Sequence, residues 1–183
     1  MYNVLMIPKS NIGKLLEFDR GQLNDGGYMH GYLLGCSDNW TFIHFVPREI
    51  FIHGYLIIRN DTIKRYCINS FYHKALTKLG QKPVSPGKID LTDIKTIFMS
   101  TIKLFTLINP CRELLKKDKC WIGGLADVCD KTVSLKLIST NARYDGILKI
   151  RSSDITRIGF DGHYERALWA LASQQTKERI TSR

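Results

Sequence analysis

One passage of this sequence is written twice. Residues 54–76 read GYLIIRNDTIKRYCINSFYHKAL, and residues 146–168 read GILKIRSSDITRIGFDGHYERAL. A shift of 92 residues aligns 31–76 with 123–168 without a gap, and 12 of those 46 positions are identical. Unrelated segments match at roughly one position in sixteen. The identities gather at Gly31/Gly123, Gly54/Gly146, Ile58-Arg59/Ile150-Arg151, Arg65/Arg157 and Tyr72/Tyr164. We read two copies of one module. A chain of 183 residues that is 44% apolar fills one ordinary core or two small ones, and the repeat selects two. Gly80, Pro83, Pro86 and Gly87 interrupt any periodic pattern between them. The expected organisation is a first module over 1–79, a linker over 80–89 and a second module over 90–183.

Within each module the apolar residues alternate with the period of strands. YLLGC (32–36) and TFIHFV (41–46) flank the polar turn Ser37-Asp38-Asn39, a hairpin signal, and IFIHGYLIIR (50–59) follows. Gly54 and Gly146 interrupt these runs where a bulge or sharp bend is expected. Their counterparts in the second copy are IGGLADV, TVSLKLI, YDGILKIR and Ile155–Ile158. Four or five short strands with tight turns predict a small, strongly bent barrel. Phe71, Ala75, Leu76 and Leu79, like Tyr164, Ala167, Leu168 and Leu171, recur at helical spacing, so each barrel is expected to be closed by a helix with Tyr72 or Tyr164 plugging it. Another helix, capped by Asp90 or Thr92, is expected in IDLTDIKTIFMSTIKLF, with LFTLIN (104–109) as a following strand. Residues 2–30 leave two readings open, a strand at VLMI and a short helix at NIGKLLEF.

A leading helix, strands carrying G-x-L…D, and I-R-x-x-x-I between the last two strands resemble the Sm-like (SH3-like) fold of the Sm and bacterial RNA-chaperone proteins. The pattern is also similar to an uncharacterised bacterial family with two such barrels in tandem. The resemblance implies a mainly β, α+β fold of two bent-sheet barrels. It places Ile58-Arg59 and Ile150-Arg151 at the Ile-Arg-Gly of the second Sm motif, and Gly31 and Gly123 at the glycine of the first. The chain departs where that family reads bases. Asn60 and Ser152 replace the glycine, Thr62 and Asp154 the later asparagine, and Phe42 and Ser134 the asparagine of the first motif. Base recognition of the Sm kind is therefore not expected.

The formal charge of +10 favours an anionic partner. Residues 77–121 hold 9 basic and 4 acidic side chains, and RELLKKDK (112–119) is the densest run. Arg112, Lys116, Lys117 and Lys119 are candidate phosphate contacts, Trp40 and Trp121 candidate stacking platforms, and the repeated Arg59 and Arg151 candidates for a shared role. Each has a plainer reading: a solvated loop for 112–119, rim core residues for the tryptophans, and local pairing with Asp61 or Asp154 for the arginines.

Nothing in the sequence carries the signature of an enzyme, and no cofactor is expected. The five histidines lack metal-ligand spacing, although His44 and His53 lie on consecutive strand-like segments. No phosphate loop and no nucleophile signature is present. The five cysteines form no CxxC pair, and Cys36 and Cys67 lie in strand-like runs where a thiol serves as a small hydrophobe. A reducing compartment, a soluble cytoplasmic protein and no membrane span are the expectations. Two functions of different class follow. One is a non-catalytic module binding RNA or another single-stranded nucleic acid; the other is a protein-interaction or scaffold module using exposed barrel edges, with self-association as one form.

Overall fold

The computed structural model describes residues 6–23, 28–116 and 120–182. The chain divides into two units, Met1–Pro86 and Gly87–Arg183, with the division inside the expected 80–89 linker. In the first unit, β1 (Leu15–Asp19), β2 (Met29–Cys36), β3 (Trp40–Val46), β4 (Tyr55–Arg59) and β5 (Arg65–Ile68) precede helix α1 (Ser70–Lys78). The second unit opens with α2 (Ile94–Thr101). It continues through β6 (Ile108–Cys111), β7 (Gly123–Val128), β8 (Thr132–Ile138), β9 (Tyr144–Arg151) and β10 (Arg157–Phe160) to α3 (His163–Leu171) and α4 (Gln174–Thr181).

The ten strands make open antiparallel sheet, five in each unit, and not two closed barrels. The strand order is β5-β1-β2-β3-β4 in the first unit and β10-β6-β7-β8-β9 in the second. Closure would require a ladder between β4 and β5, or between β9 and β10. Instead one 3-10 turn (Asn60–Thr62) carries the chain away from β4 so that β5 pairs with β1, Asp19 opposite Arg65, and its counterpart (Ser152–Asp154) sets β10 beside β6, Cys111 opposite Arg157. The closing helices are also shallower than expected. α1 and α3 bury only Leu76 and Leu168, and Tyr164 stands 50% exposed, so it plugs nothing. Tyr72 instead stacks on the ring of His30, 4.3 Å between centroids, beside a core of Leu15, Tyr32, Val46 and Leu76.

A shift of 92 carries β3 onto β8, the 3-10 turn 60–62 onto 152–154, and β5 onto β10 without adjustment. Gly31 and Gly123 have a common cause. A Cβ there would lie 2.9 Å from the His44 carbonyl oxygen in one unit and 2.4 Å from that of Lys136 in the other, closer than side chains tolerate. Gly54 and Gly146 take positive φ, +50° and +88°, where a side chain would be strained.

Three local expectations are corrected. NIGKLLEF is not a helix: Leu15, Leu16 and Phe18 belong to β1, all buried, because both faces of the strand are covered. α2 is capped by Asp93, whose carboxylate accepts from Thr96 N while Thr96 Oγ1 accepts from Asp93 N; Asp90 is occupied by Thr92. The strand expected at 104–109 is β6, which begins at Ile108.

Asn60 fixes the turn of the first unit. Buried completely, it donates its amide to Ser37 O and Asp38 O, donates its backbone N–H to Asn39 O, and accepts from Thr41 Oγ1 at 2.6 Å. At Ser152 only the backbone bond to Lys131 O and a long bond to Cys129 O remain. Removing the Asn60 side chain strands the Thr41 hydroxyl and two carbonyls. Asn60→Ala is therefore expected to lower unfolding free energy by about 2–4 kcal/mol, and Ser152→Ala by about 0.5–1 kcal/mol, measured by urea denaturation. Equal losses at the two positions would show that the two turns are held alike.

Candidate functional site

The residues singled out by sequence scatter into three settings. In the first unit Arg59 Nε donates to Asp61 at 2.7 Å, its side chain only 19% exposed, and Trp40 is buried. Neither presents a free group to a ligand. The outer side of β3 and β4 is covered by the chain that follows α1. His44 Nδ1 accepts from Val84 N, Tyr55 donates its hydroxyl to Val84 O, and the His44 and Tyr55 rings stack at 4.4 Å. His44 is thus a core acceptor; burial pushes its pKa down to about 4. No group of three or more metal-ligating side chains occurs among the described residues.

The second setting is the corner after β6. Arg112 lies over the Trp121 ring, 4.6 Å from its centroid, and 3.9 Å from Asp154, so cation and aromatic satisfy each other. Arg20 occupies the equivalent place in the first unit, where its guanidinium, completely buried, donates to Thr62 Oγ1. Arg112 therefore serves the 3-10 turn. Lys116 is exposed; Lys117 and Lys119 lie outside the described residues. Arg157 follows Arg65 in position but not in partner: Arg65 donates to Asp19 at 2.9 Å, whereas Arg157 faces Glu113 at 3.1 Å and the thiol of Cys111 at 3.4 Å.

The third setting is the outer face of β8 and β9, whose counterpart on β3 and β4 is the face covered by residue 84. Burial alternates along β8, and β9 ends the strand order of its unit. Register pairs Thr132 with Arg151, Ser134 with Lys149 and Lys136 with Ile147, so three cations and two hydroxyls share one side. Lys149 and Arg151 are exposed and Ile147 is 64% exposed. Asp127 of β7, opposite Ser134, is the acidic member of that face. α4 crosses one end of it, with Ile180 against Gly124 and Lys136 Nζ donating to Ser182. Between α2, β7 and α4 opens a groove of about 520 Å³, lined by Met99, Ile102, Phe105, Leu125 and Val128, with Lys95 and Asp127 among its walls.

No family model, curated protein or solved structure matches this chain.

Of the sequence candidates only Arg151 belongs to this face. Lys136 and Lys149 were missed because they sit in no charge cluster; the two-residue alternation of TVSLKLI and YDGILKIR is the signal that puts them beside Arg151. No helix is long and apolar enough to cross a membrane, among the described residues.

His44 makes the covered face of the first unit pH-sensitive. Its folded pKa lies below the unfolded value of about 6.5, so the neutral ring is the form the fold holds. Stability is complete above pH ~6.5 and is lost as the pH falls towards ~4, because the unfolded chain takes the proton first. The expected loss is about 2 kcal/mol after allowance for partial screening. His30, also held down by burial, acts in the same direction. Denaturant titrations at pH 7 and pH 4.5 should show a smaller loss in His44→Gln, whose amide still accepts from Val84; an unchanged pH dependence would contradict the assignment.

Proposed function

We propose that the chain is a non-catalytic module that binds single-stranded nucleic acid, RNA in the first place, on its second unit. We also read the two units as diverged copies of one module, the first kept as support. One observation carries the binding proposal: a groove of mixed polar and apolar lining lies beside an open strand face bearing Lys136, Lys149 and Arg151. The second unit holds 17 basic and 11 acidic residues, a balance of +6. Lys95, Lys103, Lys116, Lys149 and Arg151 are exposed and make no ion pair among the described residues.

Phosphates suit the cations of β9, because an exposed Lys or Arg without a carboxylate partner releases a counterion on contact. Bases suit the groove, where Met99, Ile102 and Phe105 offer apolar surface without base-specific geometry. Asp127, between the two, repels a phosphate placed at the centre of the face, so a strand would pass with its backbone towards Lys149 and Arg151. Recognition of this kind is tolerant of sequence, in keeping with Phe42 and Ser134 at the place of the base-reading asparagine of the first Sm motif.

A second reading, attachment of a partner strand, draws on β9 itself, an eight-residue end strand exposing Ile147. Lys149, Arg151 and the bend at Gly146 are the features that discourage such pairing.

Fluorescence anisotropy with labelled single-stranded RNA at about 50 and 200 mM salt separates the two. The wild-type chain should bind with a steep salt dependence. Lys149→Glu with Arg151→Glu should weaken binding by about tenfold or more and reduce the salt slope by about two. Arg59→Glu should leave the slope unaltered. Binding that survives the β9 reversal intact contradicts the proposed face.

A further inference from the structure

Cys111 and Cys120 are cross-strand partners, joined as an isolated antiparallel bridge, with their sulfurs 2.8 Å apart. Directly opposed residues in antiparallel chains hold their Cα atoms ~4.5–5.5 Å apart, inside the ~4.4–6.8 Å range that a disulfide spans. Both thiols are free, Cys111 buried and Cys120 exposed. Arg157, the β10 partner of Cys111, places its Nη2 3.4 Å from Cys111 Sγ and 3.9 Å from Cys120 Sγ.

The first unit shows what this arginine normally meets. Arg65, the counterpart of Arg157, pairs across the sheet with the carboxylate of Asp19, and Cys111 stands 92 residues on, at the place of Asp19. Where the first unit sets a carboxylate opposite the arginine, the second sets a thiol that a second thiol can reach, and Arg157 turns its Nε to Glu113 at 3.1 Å and its Nη2 to the two sulfurs. We propose that Cys111 and Cys120 are a peroxide-reactive dithiol, with Cys120 the attacking sulfur, Cys111 the resolving one and Arg157 a positioning residue that favours the thiolate.

The hydrogen bond from Cys111, aided by Arg157 against the opposing effects of burial and the Glu113 carboxylate, brings the Cys120 thiol down to about 7. Its bond to Cys120, together with burial, holds Cys111 well above the ordinary thiol range. An exposed thiolate beside a buried, protonated partner is the arrangement in which the first sulfur attacks and the second resolves. The Cys120 thiolate attacks hydrogen peroxide: an S–O bond forms, the O–O bond breaks, and the departing hydroxide takes a proton to leave as water. Cys111 then gives up its proton and attacks the sulfenic sulfur; the S–S bond forms, the S–O bond breaks, and a second water leaves. Two thiols lose two electrons to one peroxide. The product ties the end of β6 to the residue before Trp121 and encloses 112–119, the segment that carries Arg112 and Lys116.

Cys129 is the internal control. It is exposed, and hydrogen bonds from the Thr132 hydroxyl and from the backbone of Lys131 and Thr132 lower its pKa, yet its sulfur touches the Thr132 hydroxyl at 3.1 Å and no second thiol. The test uses the reduced full chain, limiting hydrogen peroxide, and mass spectrometry of tryptic peptides with and without dimedone, which traps sulfenic acid. Expected are a disulfide linking peptide 104–112 to peptide 120–131 and a 2 Da loss that tris(2-carboxyethyl)phosphine reverses. In Cys129→Ser the link must persist, which assigns it to Cys120. In Cys111→Ser, Cys120 should stop at the dimedone adduct. Arg157→Gln should slow Cys120 oxidation several-fold and shift the pH profile of its alkylation upwards, and Arg157→Lys should restore much of the rate. The proposal is overturned if the wild-type chain shows dimedone on Cys120 without the link, or if Cys129 oxidises as fast as Cys120. Both outcomes are read in the unmutated protein, so a variant that fails to fold leaves the test intact.

Discussion

The 3-10 turn after the fourth strand of each unit is the constraint on which the rest depends. Three residues, Asn60–Thr62 or Ser152–Asp154, end one strand and release the next so that it pairs with the unit's first strand. An arginine from the end of that first strand region locks the turn in both units: Arg20 on Thr62 and Arg112 against Asp154. A buried guanidinium is costly unless its donors are met; Arg20 donates to Thr62 Oγ1, whereas Arg112 stands 3.9 Å from Asp154 and lies over the Trp121 ring. The pairing of the fifth strand with the first, and with it the strand order of each unit, follows from that junction.

The units differ in what covers the outer side of their third and fourth strands. In the first, His44 and Tyr55 hold residue 84 against the sheet, and Ile57 is fully buried. In the second the corresponding residues are Lys136, Ile147 and Lys149, and water reaches them. The cross-strand pairs differ as well: Arg65 meets Asp19, whereas Arg157 is shared between the Glu113 carboxylate and the thiol of Cys111, which has a neighbour in Cys120.

Much of the secondary structure was legible because period-two alternation is a local signal: β3, β8 and the turn at 60–62 fall where the alternating runs and the polar residues between them put them. Closure was not legible. Whether the fifth strand stays beside its sequence neighbour or returns to the first strand decides closure, and alternation does not report which. The helix expected at NIGKLLEF failed because Leu15, Leu16 and Phe18 satisfy a helical spacing and a doubly buried strand equally well. Arg112 and Trp121 looked like ligand contacts from their types, but each was already spent on the other. The dithiol escaped notice because Cys111 and Cys120 are nine residues apart and only the return of the chain beside β6 makes them neighbours.

The claim that the second unit holds the binding face, and the first its covered counterpart, is tested most directly by amide mapping. Two-dimensional 1H–15N spectra of the full chain, titrated with an unlabelled single-stranded RNA, should show concentration-dependent shifts at Thr132, Ser134, Lys136, Lys149 and Arg151 and along the Met99–Phe105 wall, with β3 and β4 unmoved. Shifts centred on Trp40, Arg59 and the strands around them, or no shifts at low salt, would contradict it.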